Sequence, residues 1–216
     1  MGIFEAIVLA IVEGIAEVMP VSANGHLAVM SSLLQVNTET FTPYYTDLLQ
    51  FGVMGAILYL YWKRFTKVDT SGFYKKLLFG SLPAIVFFVL FSGFANRYLL
   101  TYRAIAFTLI MGGVFFLFID FIFRDSERSI KRISRVTSGN ALVVGLWQVL
   151  GIVPGLGRTA AAIFGGLQQG MTRTMATEFA FFVSVPTLFF LGVYKVISAM
   201  ISNPAVLREN ASTLAI

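Results

Sequence analysis

Cysteine is absent and histidine occurs once, at His26, in a chain of 216 residues. The first absence removes disulfides and thiolate metal sites. Charge is scarce as well: Asp, Glu, Lys and Arg make up 12% of the chain, against about 25% in soluble domains. With 57% hydrophobic residues and a mean hydropathy of +0.80, the scarcity excludes an ordinary soluble domain and points to a polytopic membrane protein. The net charge of +5 would suggest nucleic acid in a soluble protein. Here the cations gather in short segments between apolar runs, as the positive-inside rule expects, so no nucleic-acid partner is expected. No basic stretch precedes the first apolar run, whose first charge is Glu5, and a cleaved signal peptide is not expected.

The apolar runs are of two kinds. Asp47–Trp62, Leu77–Phe94 and Ala104–Phe123 are long enough to span, and a fourth run extends from Phe179 to about Met200, interrupted by Lys195. Pro83 and Pro186 lie inside two of these, which membrane helices tolerate when neighbours satisfy the freed backbone. Two other runs are broken. Ile3–Met19 is followed by PVSANG and the short His26–Gln35, and Ala141–Val153 is followed by PGLG and Arg158–Leu167. Short apolar arms around a Pro/Gly break predict re-entrant hairpins rather than spans.

Segment 63–77 carries Lys63, Arg64, Lys67, Lys75 and Lys76, and segment 124–135 carries Arg124, Arg128, Lys131, Arg132 and Arg135. Segment 37–45 has no basic residue, and 96–103 has only Arg97 and Arg103. The rich segments are expected on the cytoplasmic side. The first hairpin then enters from outside and the second from inside, an opposition that suggests an inverted repeat. The expected fold class is all-α. It is one integral membrane domain over 1–216, with repeat 1 at about 1–124 and an incomplete repeat 2 at about 125–216. Broken segments in corresponding positions point to a mid-membrane binding site where the two tips meet.

Glu13 and Glu17 stand at i, i+4 on one helical face. Two like charges in low dielectric cannot both stay ionised cheaply, so one gains a proton or a cation holds them together. His26 is either a structural hydrogen-bonder or an acid/base group. Ser22 either caps the second arm or faces the reacting group. Arg158 is the only charge in the second broken segment, and it opens a helix starting near Thr159. A helix start with a forked cation suits phosphate. Aligning the two breaks sets Asn24 against Arg158. The acids would be compensated by Arg158 itself or by a divalent metal bridging to phosphate oxygens. Gln50 and Gln148 are expected to make interhelical hydrogen bonds. Asp47 and Glu178 are read as helix-start acids.

Three blocks, IVEGIAEVMPVSANGHL, KKLLFGSLPAIV and GLWQVLGIVPGLGRTAAAIFGGLQQGMTR leading to FAFFVSVPT, make the chain resemble the undecaprenyl-diphosphate phosphatase (bacitracin-resistance) family over nearly its whole length. The resemblance implies a phosphatase that converts a polyprenyl diphosphate to the monophosphate carrier lipid. It implies interlocking re-entrant hairpins, a site open to the outer face of the inner (plasma) membrane, and dependence on a divalent cation, Mg or Ca. Carried over, the acidic pair falls on Glu13 and Glu17, the metal-holding or water-activating groups. The histidine falls on His26, the arginine on Arg158 and the first motif serine on Ser22. Arg158, Thr159, Gly155, Gly157 and Asn24 form the phosphate-binding set. His26 would serve as acid/base or as the attacking group.

The chain departs from the family pattern at Ala23, Gly157 and Ala162, where hydroxyl residues are usual. The family usually continues beyond the equivalent of Ile216 with further helices, so either a short member or a wall supplied by another subunit is expected. A homodimer is one candidate assembly. A rival class, a transporter or flippase of a phosphorylated lipid or anion, would use the same midplane site, since lost hydroxyls weaken catalysis more than anion binding. An inactive scaffold is a third.

Overall fold

The computed structural model describes residues 1–67, 70–99, 101–123, 130–202 and 205. Helices dominate. They are α1 (Ile3–Val18), α2 (Ala23–Leu33), α3 (Thr42–Leu60), α4 (Trp62–Lys67), α5 (Thr70–Tyr98), α6 (Tyr102–Ile122), α7 (Ser138–Gln148), α8 (Arg158–Gln168) and α9 (Arg173–Ser202). A 3₁₀ turn over Val149–Ile152 extends α7. No strand occurs among the described residues; an isolated bridge pairs Ile130 with Met171.

The broken runs fold as two helical hairpins, α1–α2 and α7–α8, whose arms pack on each other. Sequence chemistry sets their ends. Thr137 and Asn140 form a reciprocal capping box at the start of α7, supplying acceptors to first-turn amides that no helix can pair internally. Asn140 Nδ2 donates to Gln169 Oε1 at 2.9 Å and Trp147 Nε1 donates to Gln168 Oε1 at 2.8 Å, closing the base of that hairpin. At the base of α1–α2, the Tyr45 hydroxyl from α3 donates to the Ala6 carbonyl at 3.0 Å. Val36, Phe41 and Tyr45 there bury with Ala6, Leu9 and Leu27.

The spine is α9, against which α3, α5 and α8 pack. Its Phe179, Phe182 and Val183 join Phe65, Phe73, Leu77, Val144 and Leu167 in the largest core cluster. The Phe182 ring meets Phe65 and Tyr61 edge-on, each at 5.2 Å between centroids, the geometry that aromatic quadrupoles favour. Gln148 crosses from α7 to α5, its Nε2 donating to the Gly80 carbonyl at 2.9 Å, as expected of it.

Among the described residues, three helical stretches are long and apolar enough to cross a membrane: Gly72–Phe94, Tyr102–Ile119 and Arg173–Ser202. Leu78, Leu82, Val86 and Leu90 on α5, and Phe107, Ile110, Leu117 and Phe121 on α6, are exposed. Apolar side chains in continuous outward stripes are what lipid solvates. The chain is a multi-pass, all-helical membrane protein.

Several sequence expectations need correction. The expected span Asp47–Trp62 is a helix shifted to Thr42–Leu60, and it is not among the three apolar spans because Thr42, Tyr44, Tyr45, Asp47 and Gln50 dilute it. The cationic segment 63–77 is largely helical, divided between α4 and α5. The second arm begins at Ala23 rather than His26, because Ser22 caps it. Asp47 and Glu178 lie within α3 and α9 rather than at their starts; Asp47 pairs with Lys195, and Glu178 accepts from Arg64 at 3.2 Å. Arg124, Arg128 and the boundary between the two expected repeats lie outside the described residues.

Candidate functional site

The hairpin tips meet. At the first, the chain turns through Pro20 and Val21 into Ser22, whose Oγ accepts from Gly25 N at 3.2 Å as the cap of α2. The same Oγ accepts from Gly155 N at 2.9 Å across the junction. Gly155 adopts φ +107°, a conformation that side chains with a Cβ rarely tolerate. Two residues on, a Cβ on Gly157 would lie 2.3 Å from the Val21 carbonyl oxygen. The tips touch backbone to backbone, and glycine is the residue that permits it. Behind them, the Thr108 hydroxyl of α6 donates to the Pro154 carbonyl and clamps the second tip.

This contact delivers the charged groups to one another. Arg158, first residue of α8, donates from a terminal guanidinium nitrogen to Glu17 Oε1 at 3.0 Å. The Thr159 hydroxyl donates to the same oxygen at 2.9 Å. Glu17 and Glu13 are buried on one face of α1. Glu13 Oε2 is fully buried without a hydrogen-bond partner, and so are Gln50 Oε1 and Arg158 Nε. Unpaired buried polar atoms cost about 1–3 kcal/mol each, so this cluster is arranged for something besides stability.

Two adjoining clefts reach the cluster. One, of about 310 Å³, is lined by Glu13, Glu17, Asn24, Gln50, Gly157 and Arg158, among others. The other, of about 400 Å³, shares Asn24, Gln50 and Arg158 and adds Gln148, Lys195 and the apolar Phe87, Phe88 and Leu191. A polar cleft therefore adjoins one of mixed polar and apolar lining, and Arg158 belongs to both walls.

Of the sequence candidates, Glu13, Glu17, Ser22, Asn24, Gly157 and Arg158 share the smaller cleft. Thr159 is buried, with its hydroxyl committed to Glu17. Ser22 takes the capping alternative and ties the two tips together. His26 stands apart: it is exposed on α2, its Nδ1 is 2.7 Å from the Ser22 carbonyl, and it belongs to neither cleft wall. A carbonyl oxygen only accepts, so Nδ1 is the donor in this contact. The missing hydroxyls separate too. Ala23 lines the smaller cleft, Gly157 has no room for a Cβ, and Ala162 is in the hydrophobic core away from both clefts.

Sequence reasoning passed over three groups here. Gln50 is expected to make an interhelical hydrogen bond, yet its Oε1 is unpartnered beside the cleft. Lys195 registered only as an interruption of an apolar run. Thr108 is an ordinary helix residue until Pro154 is brought beside it. A lysine or glutamine set in an otherwise apolar run was the available signal for two of them.

Fold and site define a multi-pass membrane protein with buried, oppositely charged groups where two helical hairpins meet. The family described as Bacitracin resistance protein BacA matches residues 6–216. The undecaprenyl-diphosphatase of Flavobacterium johnsoniae is 38% identical over 188 residues, covering 87% of this chain and 70% of the relative. That of Porphyromonas gingivalis is 39% identical, covering 87% and 71%, and that of Bdellovibrio bacteriovorus 34%, covering 91% and 74%. The chain belongs to the BacA family.

Proposed function

We propose that this protein is an undecaprenyl-diphosphate phosphatase, releasing inorganic phosphate and leaving the monophosphate carrier lipid in the membrane. One observation carries the reading: Arg158 sits 3.0 Å from Glu17 in the wall shared by two clefts, one of them partly apolar, with a buried, unpartnered Glu13 oxygen in the same cluster.

The terminal phosphate docks at Arg158, which borders both clefts and whose place at the start of α8 adds the positive end of that helix. Thr159 holds Glu17 in place. Water attacks the terminal phosphorus opposite the bridging oxygen, and its proton passes to Glu13. The bond from phosphorus to the bridging oxygen breaks, and its electron pair leaves on the lipid monophosphate. Arg158 is aimed at the charge that develops on the transferring group. His26, exposed and in neither cleft wall, has no part in this scheme.

The donor set also fits a divalent cation. Two carboxylates and the unpartnered Gln50 oxygen line one cleft, all hard oxygen ligands. Magnesium keeps waters and substrate phosphates as ligands, so two carboxylates and an amide oxygen are a sufficient protein contribution. Glu13, Glu17 and Gln50 would hold it, and when bound it would spread the charge on the phosphate oxygens.

The hairpins are read as re-entrant and as the matching halves of an inverted repeat. Three of their arms, α2, α7 and α8, have 11 residues, about 16 Å at 1.5 Å per residue, roughly half of a 30 Å hydrocarbon slab. Cation-rich segments on the cytoplasmic side would open the site to the outer face.

The test is phosphate release from undecaprenyl diphosphate by purified protein, with and without a chelator. Release that falls about 100-fold or more in Glu17→Gln and Arg158→Ala is expected. No release from the intact protein in the presence of magnesium or calcium would refute the reading.

A further inference from the structure

Helix α9 runs for 30 residues with half of its apolar window buried, and into it the chain sets Lys195. The ammonium pairs with Asp47 on α3 and lies 5.6 Å from the centre of the Phe88 ring on α5. A partly buried pair between helices, with side chains 20% and 29% accessible, contributes little net stability, because desolvation and side-chain ordering offset the attraction. Apolar residues of similar volume would hold α3 to α9 at least as well.

The cleft supplies another use for the pair. Lys195 lines the larger cleft together with Arg158, and its side chain keeps 20% of its accessibility. Arg158 presents a buried donor, Nε, that no protein acceptor fills. Two cations on one cleft, one with an unfilled donor, call for a ligand with more than one anionic group. Gln50 Oε1 and Gln148 Oε1 on the same wall lack donors, which a displaced ammonium or a phosphate-bound water can provide. Phe87, Phe88 and Leu191 continue the cleft beyond Lys195, an apolar wall suited to the start of a prenyl chain.

We propose that Lys195 reads the second phosphate of the substrate: it exchanges Asp47 for the lipid-proximal phosphate while Arg158 holds the terminal one. This deepens the diphosphatase reading above and rests on it. With the site empty, Asp47 keeps the ammonium neutralised. A diphosphate engages both cations at once, whereas the monophosphate product engages one. The site therefore prefers substrate to product, and product leaves as Lys195 returns to Asp47.

Equilibrium binding to the full chain in detergent, with chelator present to stop turnover, reads this directly. The probes are undecaprenyl diphosphate and undecaprenyl monophosphate. The intact protein should prefer the diphosphate, and Lys195→Met should lose about tenfold of that preference, the scale of one charge-assisted hydrogen bond. Lys195→Arg should recover most of it. In turnover, Lys195→Met should raise KM about as much, with a smaller change in kcat. The exchange Asp47→Lys with Lys195→Asp separates reading from bracing. A structural pair would be restored by the swap, whereas a phosphate reader would not. A diphosphate preference unchanged in Lys195→Met, or recovered in the swap, overturns the proposal. Preference lost as expected in a protein that never releases phosphate would support Lys195 while refuting the hydrolase reading.

Discussion

Removing Arg158 takes away the cation that faces Glu17. The substitution Arg158→Met keeps the length of the stem and deletes the charge. Glu17 then retains the Thr159 hydroxyl as donor but loses the guanidinium at 3.0 Å, while Glu13 stays buried one helical turn away. Breaking a buried ion pair by deleting one partner costs about 3–5 kcal/mol. The guanidinium side chain keeps 13% of its accessibility and borders a cleft, so water can partly replace it and a loss at or just below that range, about 2–3 kcal/mol, is expected. For a chain of this size each kcal/mol moves a melting midpoint by about 2–4 °C, so a drop of roughly 5–10 °C should appear in detergent. The paired substitution Glu17→Gln with Arg158→Met removes both charges and leaves an amide that still accepts from Thr159. It should recover at least half of the lost stability while phosphate release stays absent. Melting curves and release rates on the single and double variants are the assay. A double variant as unstable as Arg158→Met alone would show that Glu17 is not the charge that Arg158 compensates. Undiminished release in either would remove both residues from the reaction.

Ser22→Ala deletes the acceptor for Gly25 N and Gly155 N; a melting loss of about 1–2 kcal/mol is expected from the lost cap, with release falling as the tips separate, and an unchanged midpoint would contradict the bridging role. Gly157→Ser restores a hydroxyl common in the family yet places its Cβ against the Val21 carbonyl; a loss of about 1–3 kcal/mol is expected from overpacking, and a variant more active and no less stable would show that the tips part easily. Glu13→Gln should cut release about 100-fold and weaken the response to added magnesium while sparing the melting midpoint, since its Oε2 has no protein partner to lose; a large midpoint shift would make Glu13 structural.

Local periodicity revealed most of what one helix can reveal. The i, i+4 spacing of Glu13 and Glu17 puts both on the buried face of α1, and the Pro/Gly breaks fall where the two hairpins turn. The meeting of Glu17 with Arg158 followed from opposite charges on two apolar tips, where an unpaired charge is too costly to leave alone. What stayed hidden depends on partners distant in sequence. Asp47 meets Lys195 across 148 positions, and each reads as an ordinary charge until helix packing joins them. Ser22 could not be divided between cap and reactant because its second donor, Gly155 N, lies 133 positions away. Gly157 read as a lost hydroxyl because a sequence does not say how close the opposite backbone comes. His26 stands out by rarity and by motif; it is exposed on α2 and lines neither cleft.

Transport and hydrolysis ask different things of this junction. Alternating access needs one hairpin to move against the other around the ligand. Here the ligand-facing charges are part of the fastening: Glu17 to Arg158 and Thr159, Ser22 to Gly155, and Gly157 against Val21. Moving the hairpins apart would break a buried ion pair and strand several backbone and hydroxyl groups before any new contact formed. A hydrolase needs the opposite, a rigid cluster whose donors already face the position where charge will develop, since preorganised dipoles cost no rearrangement at the moment of reaction. The cleft beside Phe87 and Phe88 adjoins the polar one at Arg158, so an approach for the substrate lies alongside the fastening rather than through it. The lipid can stay among the helices while its head enters, so the architecture supports chemistry at a fixed site over carriage through a moving one.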